Sequence, residues 1–75
     1  MTNKINLKKQ QLYWLGPQDR AFVPQISAGR VWVTMSGCQK DFIVCAGEYL
    51  PPADQELLIE ALSEDVVIDM VELSL

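Results

Sequence analysis

The stretch SAGRVWVTMSGCQKDFIVCAGEYL, residues Ser27–Leu50, decides how this chain folds. It contains two runs rich in Val, Ile, Thr, Phe and Trp, namely Arg30–Met35 and Asp41–Cys45. Pairs that contain glycine stand before, between and after these runs. Such runs, bounded by Gly and Ser, are typical of short strands joined by tight connections. The stretch therefore predicts two strands that can pair as a hairpin.

Alternation along the two runs predicts which side chains are buried, because successive residues of a strand point to opposite faces. The first run places its aliphatic residues on one face, predicted to be core: Val31, Val33 and Met35. Its other face carries Arg30, Trp32 and Thr34. In the second run Phe42 and Val44 share a face, opposite Asp41, Ile43 and Cys45.

The chain before this stretch predicts three more strands. Lys4–Leu7 alternates polar and apolar residues, and Leu12–Leu15 is a dense apolar run that ends at the turn-forming Gly16–Asp19. Strand character resumes at Arg20–Ile26. Because Pro24 cannot donate to a ladder, that strand is expected to lie at an edge, or to be bulged or broken at Pro24.

The chain after the stretch contains one ambiguous segment. Glu48–Leu50 predicts a brief strand ended by Pro51–Pro52, and the β-branched run Val66–Leu73 predicts a longer one. Asp54–Leu62 fits either a helix capped by Asp54 or a strand. The regular spacing of the runs favours the strand.

Together these runs predict one all-β domain that covers residues 1–75. It is expected to have six to eight short antiparallel strands and no helix, arranged as a small barrel or a two-sheet sandwich. A chain of 75 residues buries only about 60–65% of the surface that its unfolded form exposes. Its stability as a monomer is therefore expected to be marginal.

A family resemblance rests on the central stretch. It is carried by the run GRVWVT at Gly29–Thr34, by Gly37, by Asp41 with the apolar run after it, and by AGE at Ala46–Glu48. This combination resembles a small bacterial cupin-like family of unknown function, over roughly Ile5 to Leu73. The resemblance implies a small cupin-like β-barrel, and it brings no established activity.

Charge and composition exclude several classes of function. A net charge of −4 argues against nucleic-acid binding, which needs clustered Lys and Arg on the protein. The chain lacks the ~20-residue apolar span of a membrane protein and a signal-like N-terminus, so we expect a cytoplasmic protein without membrane contact. In that compartment Cys38 and Cys45 are expected to be free thiols, with a disulfide as the alternative.

The chain contains no histidine, so it lacks the commonest transition-metal ligand and the commonest general base for a nucleophile. A transition-metal cupin site needs two or three His, so no metal, cofactor or catalytic residue is expected. A hard cation held by Asp41, Glu48 and Glu60 is allowed by ligand type, but solvated carboxylates are the simpler interpretation. Ser36 and the cysteines have no His to act as base.

The candidate ligand-binding residues are Arg30, Trp32, Asp41 and Glu48. Two interpretations of them stay open at this point. Trp32 stacks against a ligand or second chain that Arg30 helps to hold, or Trp32 fills the core or barrel mouth while Arg30 forms an ion pair with Asp41 or Glu48. The neighbours Tyr13 and Trp14 must point to opposite faces, so one is expected to be buried and the other to be an interface anchor.

These observations favour a non-catalytic binding or interaction module that associates with itself, as a homodimer. The marginal core and the strands with apolar residues on both faces support that hypothesis. A sensor that binds a small anionic or sugar ligand near Trp32 is the alternative. A metal-independent enzyme is the third hypothesis.

Overall fold

The computed structural model describes residues 2–16, 22–37, 40–50 and 56–72. Within these ranges the chain forms seven strands and no helix: β1 (Thr2–Lys8), β2 (Leu12–Leu15), β3 (Phe22–Ala28), β4 (Arg30–Met35), β5 (Asp41–Cys45), β6 (Leu57–Ala61) and β7 (Asp65–Glu72). They make a three-stranded sheet in the order β1-β7-β3 and a four-stranded sheet in the order β2-β6-β4-β5. All pairs are antiparallel. The prediction of an all-β fold is confirmed in its two-sheet form.

Alternate residues of the two sheets meet in one apolar core. The side chains without solvent exposure include Leu15, Ile26, Val31, Val33, Leu57, Ile59, Ala61 and Ile68. The predicted hairpin is confirmed, since β4 pairs with β5, and the predicted inner face of β4 is the buried one. On β5, Val44 is buried but Phe42 is only partly covered, because β5 lies at the edge of its sheet.

The ambiguous segment is a strand, as predicted, and its burial explains why. Leu57, Ile59 and Ala61 all point into the core from β6, which lies between β2 and β4. A helix would turn Ile59 away from the other two, because residues two apart on a helix face different directions. The predicted features at 17–21, 38, 51–55 and 73 lie outside the described residues.

Gly29 forms a corner where the chain passes from one sheet to the other. It is the single residue between β3 and β4, and its φ is 84°. A Cβ at this position would lie 2.4 Å from the backbone oxygen of Asp65 and 2.5 Å from Oγ of Ser63. That hydroxyl also accepts a hydrogen bond of 2.9 Å from the backbone N of Arg30. The corner is thus packed against the connection between β6 and β7 and admits only glycine.

The interpretation of the Pro24 strand as an edge strand is confirmed. Within its sheet β3 pairs with β7 alone, and its register irregularity falls between Ile26 and Ala28 instead of at Pro24. The free side of β3 receives the segment 47–50, where the backbone N of Leu50 donates to the Pro24 oxygen at 3.0 Å and that of Ile26 to the Glu48 oxygen at 2.9 Å. Pro24 has the same parity as Ile26, so its missing N–H falls on this side and leaves the β7 ladder intact.

The turn between β1 and β2 holds one non-glycine residue with a left-handed backbone. Gln10 has a φ of 74°, and the turn is closed by a 2.9 Å hydrogen bond from the backbone N of Gln11 to the Lys8 oxygen. A side chain at such an angle costs about 1 kcal/mol or more, which glycine avoids.

Replacing Gln10 should therefore stabilise the protein. Gln10→Gly is expected to raise the free energy of unfolding by about 0.5–1 kcal/mol, net of the extra entropy that glycine gives the unfolded chain. Urea denaturation measures the change. Gln10→Ala is the matched control, because it shortens the side chain but keeps the β-carbon. An equal gain from alanine would show that the backbone angle is not the cause.

Candidate functional site

Among the described residues, the outer face of the three-stranded sheet carries two ion pairs between β1 and β7. Lys4 Nζ lies 3.7 Å from Asp69 Oδ1 across the β1–β7 ladder, and Lys8 forms a hydrogen-bonded ion pair with Asp65. The hydrogen bond to Asp65, with its negative charge, raises the pKa of Lys8 above its usual 10.5. The pair therefore contributes its stability in full below about pH 10.5 and loses it as the pH rises through the higher folded-state pKa. The same face also carries the half-buried Val23, Val67 and Val71.

The outer face of the four-stranded sheet combines large apolar side chains with the charged Arg30, Asp41 and Glu60. Four large side chains stand on it with much of their surface open to solvent: Leu12 (55%), Trp14 (59%), Trp32 (42%) and Ile43 (64%). We call these four residues the apolar outer face. In register, the row across the sheet reads Leu12, Glu60, Trp32 and Ile43, so that the half-buried Glu60 of β6 stands between Leu12 and Trp32. One continuous row thus crosses all four strands.

Three of the four candidate ligand-binding residues lie on the same side of this sheet. Arg30, Trp32 and Asp41 are all exposed there. The register separates the charges, however, since Arg30 pairs with Cys45 at one end of the hairpin and Asp41 pairs with Thr34 at the other. Four residues along a strand span about 13 Å.

The fourth candidate, Glu48, holds a turn. Its Oε1 accepts a hydrogen bond of 2.8 Å from the backbone N of Cys45, and its own backbone N donates to the Cys45 oxygen at 3.0 Å. Gly47 has a φ of 93°, as the third residue of such a turn requires. Among the described residues Arg30 has no ion pair with Asp41 or Glu48. The prediction that Arg30 forms an ion pair with Asp41 or Glu48 is therefore wrong.

The aromatic residues are distributed as the alternation requires. Tyr13 is half-buried against the core and Trp14 points to the apolar outer face, so the two side chains face opposite ways as predicted, and the role of Trp14 as an interface anchor stays a prediction. Trp32 is neither core nor the lining of a barrel mouth, because it stands on the outer side of a sheet. That part of the prediction for Trp32 is wrong.

A shallow depression lies beside Trp14. It is lined by Trp14, Leu15, Gly16 and Glu56 and holds about 190 Å³, less than the ~300 Å³ at which ligand pockets begin. Cys45 is an exposed free thiol, and Cys38 lies outside the described residues. Within the described ranges no three His, Cys, Asp or Glu side chains are grouped to hold a metal ion. Asp41, Glu48 and Glu60 are accordingly not brought together.

The exposure of Leu12 was not predicted from the sequence. It was also not predicted that the outer sides of four strands form one surface. Alternation placed Ile43 opposite the core side of its strand, and it placed Trp32 likewise. What joins them to Leu12 and Trp14 is the insertion of β6 between β2 and β4. No local pattern in the sequence indicates that strand order.

Compared with known proteins, the chain matches no protein-family model, no curated protein and no solved structure. The resemblance of Gly29–Glu48 to the cupin-like family stays a prediction. In the part of the chain that the structure describes, no helix has the length and apolar character needed to cross a membrane.

Proposed function

We propose that this chain is a non-catalytic interaction module, and that a second copy of itself covers the apolar outer face. The contrast between the two sheets carries the proposal. The outer face of the three-stranded sheet carries cross-strand ion pairs between half-buried valines, with Tyr49 exposed beside it. The other outer face presents two tryptophans, a leucine and an isoleucine together with Arg30, Asp41 and Glu60. Large aromatic residues grouped on a surface are typical of protein interfaces.

The size of the patch supports a protein partner over a small ligand. Its four side chains expose on the order of 400 Å² of mainly apolar surface, if each large side chain presents roughly 150–250 Å² when fully exposed. The largest patch on a typical monomer is about 300–600 Å² and is often functional. Two such patches together would bury on the order of 800 Å², which corresponds to a weak interface. We therefore expect weak, transient self-association.

The small core is the second support. A 75-residue sandwich buries a limited share of its surface, and association adds stability to the folded state by mass action. A self-associating module would thus be more stable at higher concentration. We place its action in the cytoplasm, where an exposed thiol such as Cys45 stays reduced.

Sedimentation velocity over a concentration series tests the proposal. Ile43→Lys puts a charge in the middle of the apolar outer face and is expected to weaken dimerisation at least about 100-fold, since the interface would bury an unpaired ammonium. Val67→Lys is the matched control, because Val67 lies on the outer face of the other sheet. It should leave the dimer intact. Equal weakening by both variants, or a wild type that is monomeric at high micromolar concentration, would contradict the proposal.

A small-molecule sensor is the alternative proposal, with an anionic or sugar ligand held near Trp32. It is favoured by one observation: Arg30 and the partly exposed Trp32 stand two residues apart on the same face, and Arg30 has no ion pair among the described residues. Tryptophan fluorescence and thermal shift across a metabolite panel test it. A response that Arg30→Gln abolishes would support it, and silence across all anions and sugars would count against it.

A further inference from the structure

Two opposite charges flank the apolar outer face without pairing to each other. Arg30 and Asp41 are both exposed on the outer side of the four-stranded sheet, at opposite ends of the β4–β5 hairpin. Neither has an ion pair within the described residues. Trp32 and Ile43 lie between them along the two strands. Cation, apolar centre and carboxylate thus follow one another along the hairpin.

We propose that two copies associate through this face about a two-fold axis running across the strands, so that Arg30 of each copy pairs with the partner's Asp41. The inference rests on the proposed function, and it adds the arrangement of the dimer. A two-fold interface is isologous, so the contact forms twice. Each ion pair would close one end of a buried apolar row.

The register supplies the geometry. Consider a two-fold axis that crosses the strands along the row from Leu12 to Ile43. Each strand then lies over the same strand of the partner, which runs in the opposite direction. Each residue of the row then packs against its own copy, so that Leu12, Trp32 and Ile43 make apolar contacts and Glu60 faces the partner's Glu60. Arg30 comes to lie over the partner's Thr34, about 10 Å away across the packed sheets, and the partner's Asp41 is one strand to the side, so that the Cα atoms of Arg30 and Asp41 would be about 11 Å apart. The two side chains, reaching towards each other, together span that distance.

The other simple two-fold axis gives a poorer match. An axis parallel to the strands, between β6 and β4, would put Arg30 over the partner's Leu62 and Asp41 over the partner's Trp14. Both charges would then be desolvated against apolar groups without a partner, which costs several kcal/mol per ion. The axis across the strands gives Arg30 and Asp41 opposite charges to pair with at both ends, although it also brings the two Glu60 carboxylates towards each other.

Glu60 supplies an independent check, because it pairs with both Leu12 and Trp32 in the middle of the row. The axis across the strands brings it near the partner's Glu60, where the two carboxylates repel. Glu60→Gln is therefore expected to tighten the dimer by a few-fold. If Glu60 were instead the interfacial partner of Arg30, the same substitution would weaken the dimer. Weakening would overturn the proposal.

Complementary charge reversals test the pairing directly. Arg30→Glu and Asp41→Lys each place like charges against each other at both ends of the interface, so each variant alone should dimerise at least about tenfold more weakly than wild type. An equimolar mixture of the two restores opposite charges at both ends. It should form a heterodimer of nearly wild-type affinity, detected by sedimentation with one variant fluorescently labelled. Circular dichroism on each variant confirms that it is folded.

The possible results separate the arrangement from the function. If Ile43→Lys abolishes dimerisation but the mixture stays as weak as its components, the apolar outer face is the interface and the axis across the strands is wrong. If the wild type does not dimerise, the proposed function and the arrangement both fail. Recovery to nearly wild-type affinity in the mixture supports the pairing, with only partial recovery when either variant is mixed with wild type, because that heterodimer keeps one of the two ion pairs.

Discussion

Gly29→Ala is expected to lower the free energy of unfolding by about 3–5 kcal/mol, enough to leave much of a small domain unfolded at room temperature. Two effects add. Alanine is strained at a φ of 84°, and its β-carbon would collide with the backbone oxygen of Asp65, which the β7 ladder holds in place. Circular dichroism in a urea series measures the loss.

Gly47→Ala separates the two effects. Gly47 has a φ of 93°, but a β-carbon there would meet nothing within 4 Å. Backbone strain alone should therefore reduce the stability by about 1–2 kcal/mol. Equal losses at Gly29 and Gly47 would show that the corner is not tightly packed. That result would contradict the close contact between the β3–β4 corner and the β6–β7 connection.

Ile59→Ala and Ile43→Ala should give opposite results, although both remove the same atoms from the four-stranded sheet. Ile59 has no solvent exposure, and its truncation should cost about 2–5 kcal/mol because it leaves a cavity in the core. Ile43 is 64% exposed, and its truncation should change the stability of the monomer by less than about 0.5 kcal/mol. Urea denaturation at low protein concentration measures both.

The effect on dimer affinity, measured by sedimentation, should be larger for Ile43→Ala than for Ile59→Ala, the reverse of their effect on stability. Ile43→Ala should weaken dimerisation about tenfold, because it removes apolar contact from the centre of the interface. Ile59→Ala should leave the affinity of the folded fraction unchanged. A large loss of monomer stability in Ile43→Ala would mean that its side chain belongs to the core. The apolar outer face would then be an incorrect description of the molecule.

The strands themselves follow from local sequence, and their partition into sheets does not. Alternation identified β4 and its inner face, and the regular spacing of the runs favoured a strand at Asp54–Leu62, which also fits a helix. The sandwich depends on where the chain changes sheet, and the change at Gly29 takes a single residue. Position 29 must be glycine because Asp65 and Ser63, more than thirty residues away in the sequence, leave no room for a β-carbon. A local pattern cannot contain that information.

The shared face of three candidate residues could be predicted from the sequence, and their contacts could not. Arg30, Trp32 and Asp41 do share a face, as alternation implies. The expected Arg30–Asp41 ion pair within one chain fails because an antiparallel hairpin pairs its first residue with its last, which puts Arg30 beside Cys45. Trp32 is exposed because it stands on the outer side of the four-stranded sheet, which no other described strand covers. The sequence does not indicate the strand order that creates this side.

The most direct measurement follows the indole N–H signals of Trp14 and Trp32 by NMR as protein concentration rises from about 10 μM to about 1 mM, the range in which a weak interface forms. These are the chain's two tryptophans, and both stand on the apolar outer face. We expect both signals to shift along one dimerisation curve, while the amide signals of Asn6 and Val67 on the other sheet stay fixed. Indole signals that do not move over this range, or shifts confined to the three-stranded sheet, would contradict self-association through this face.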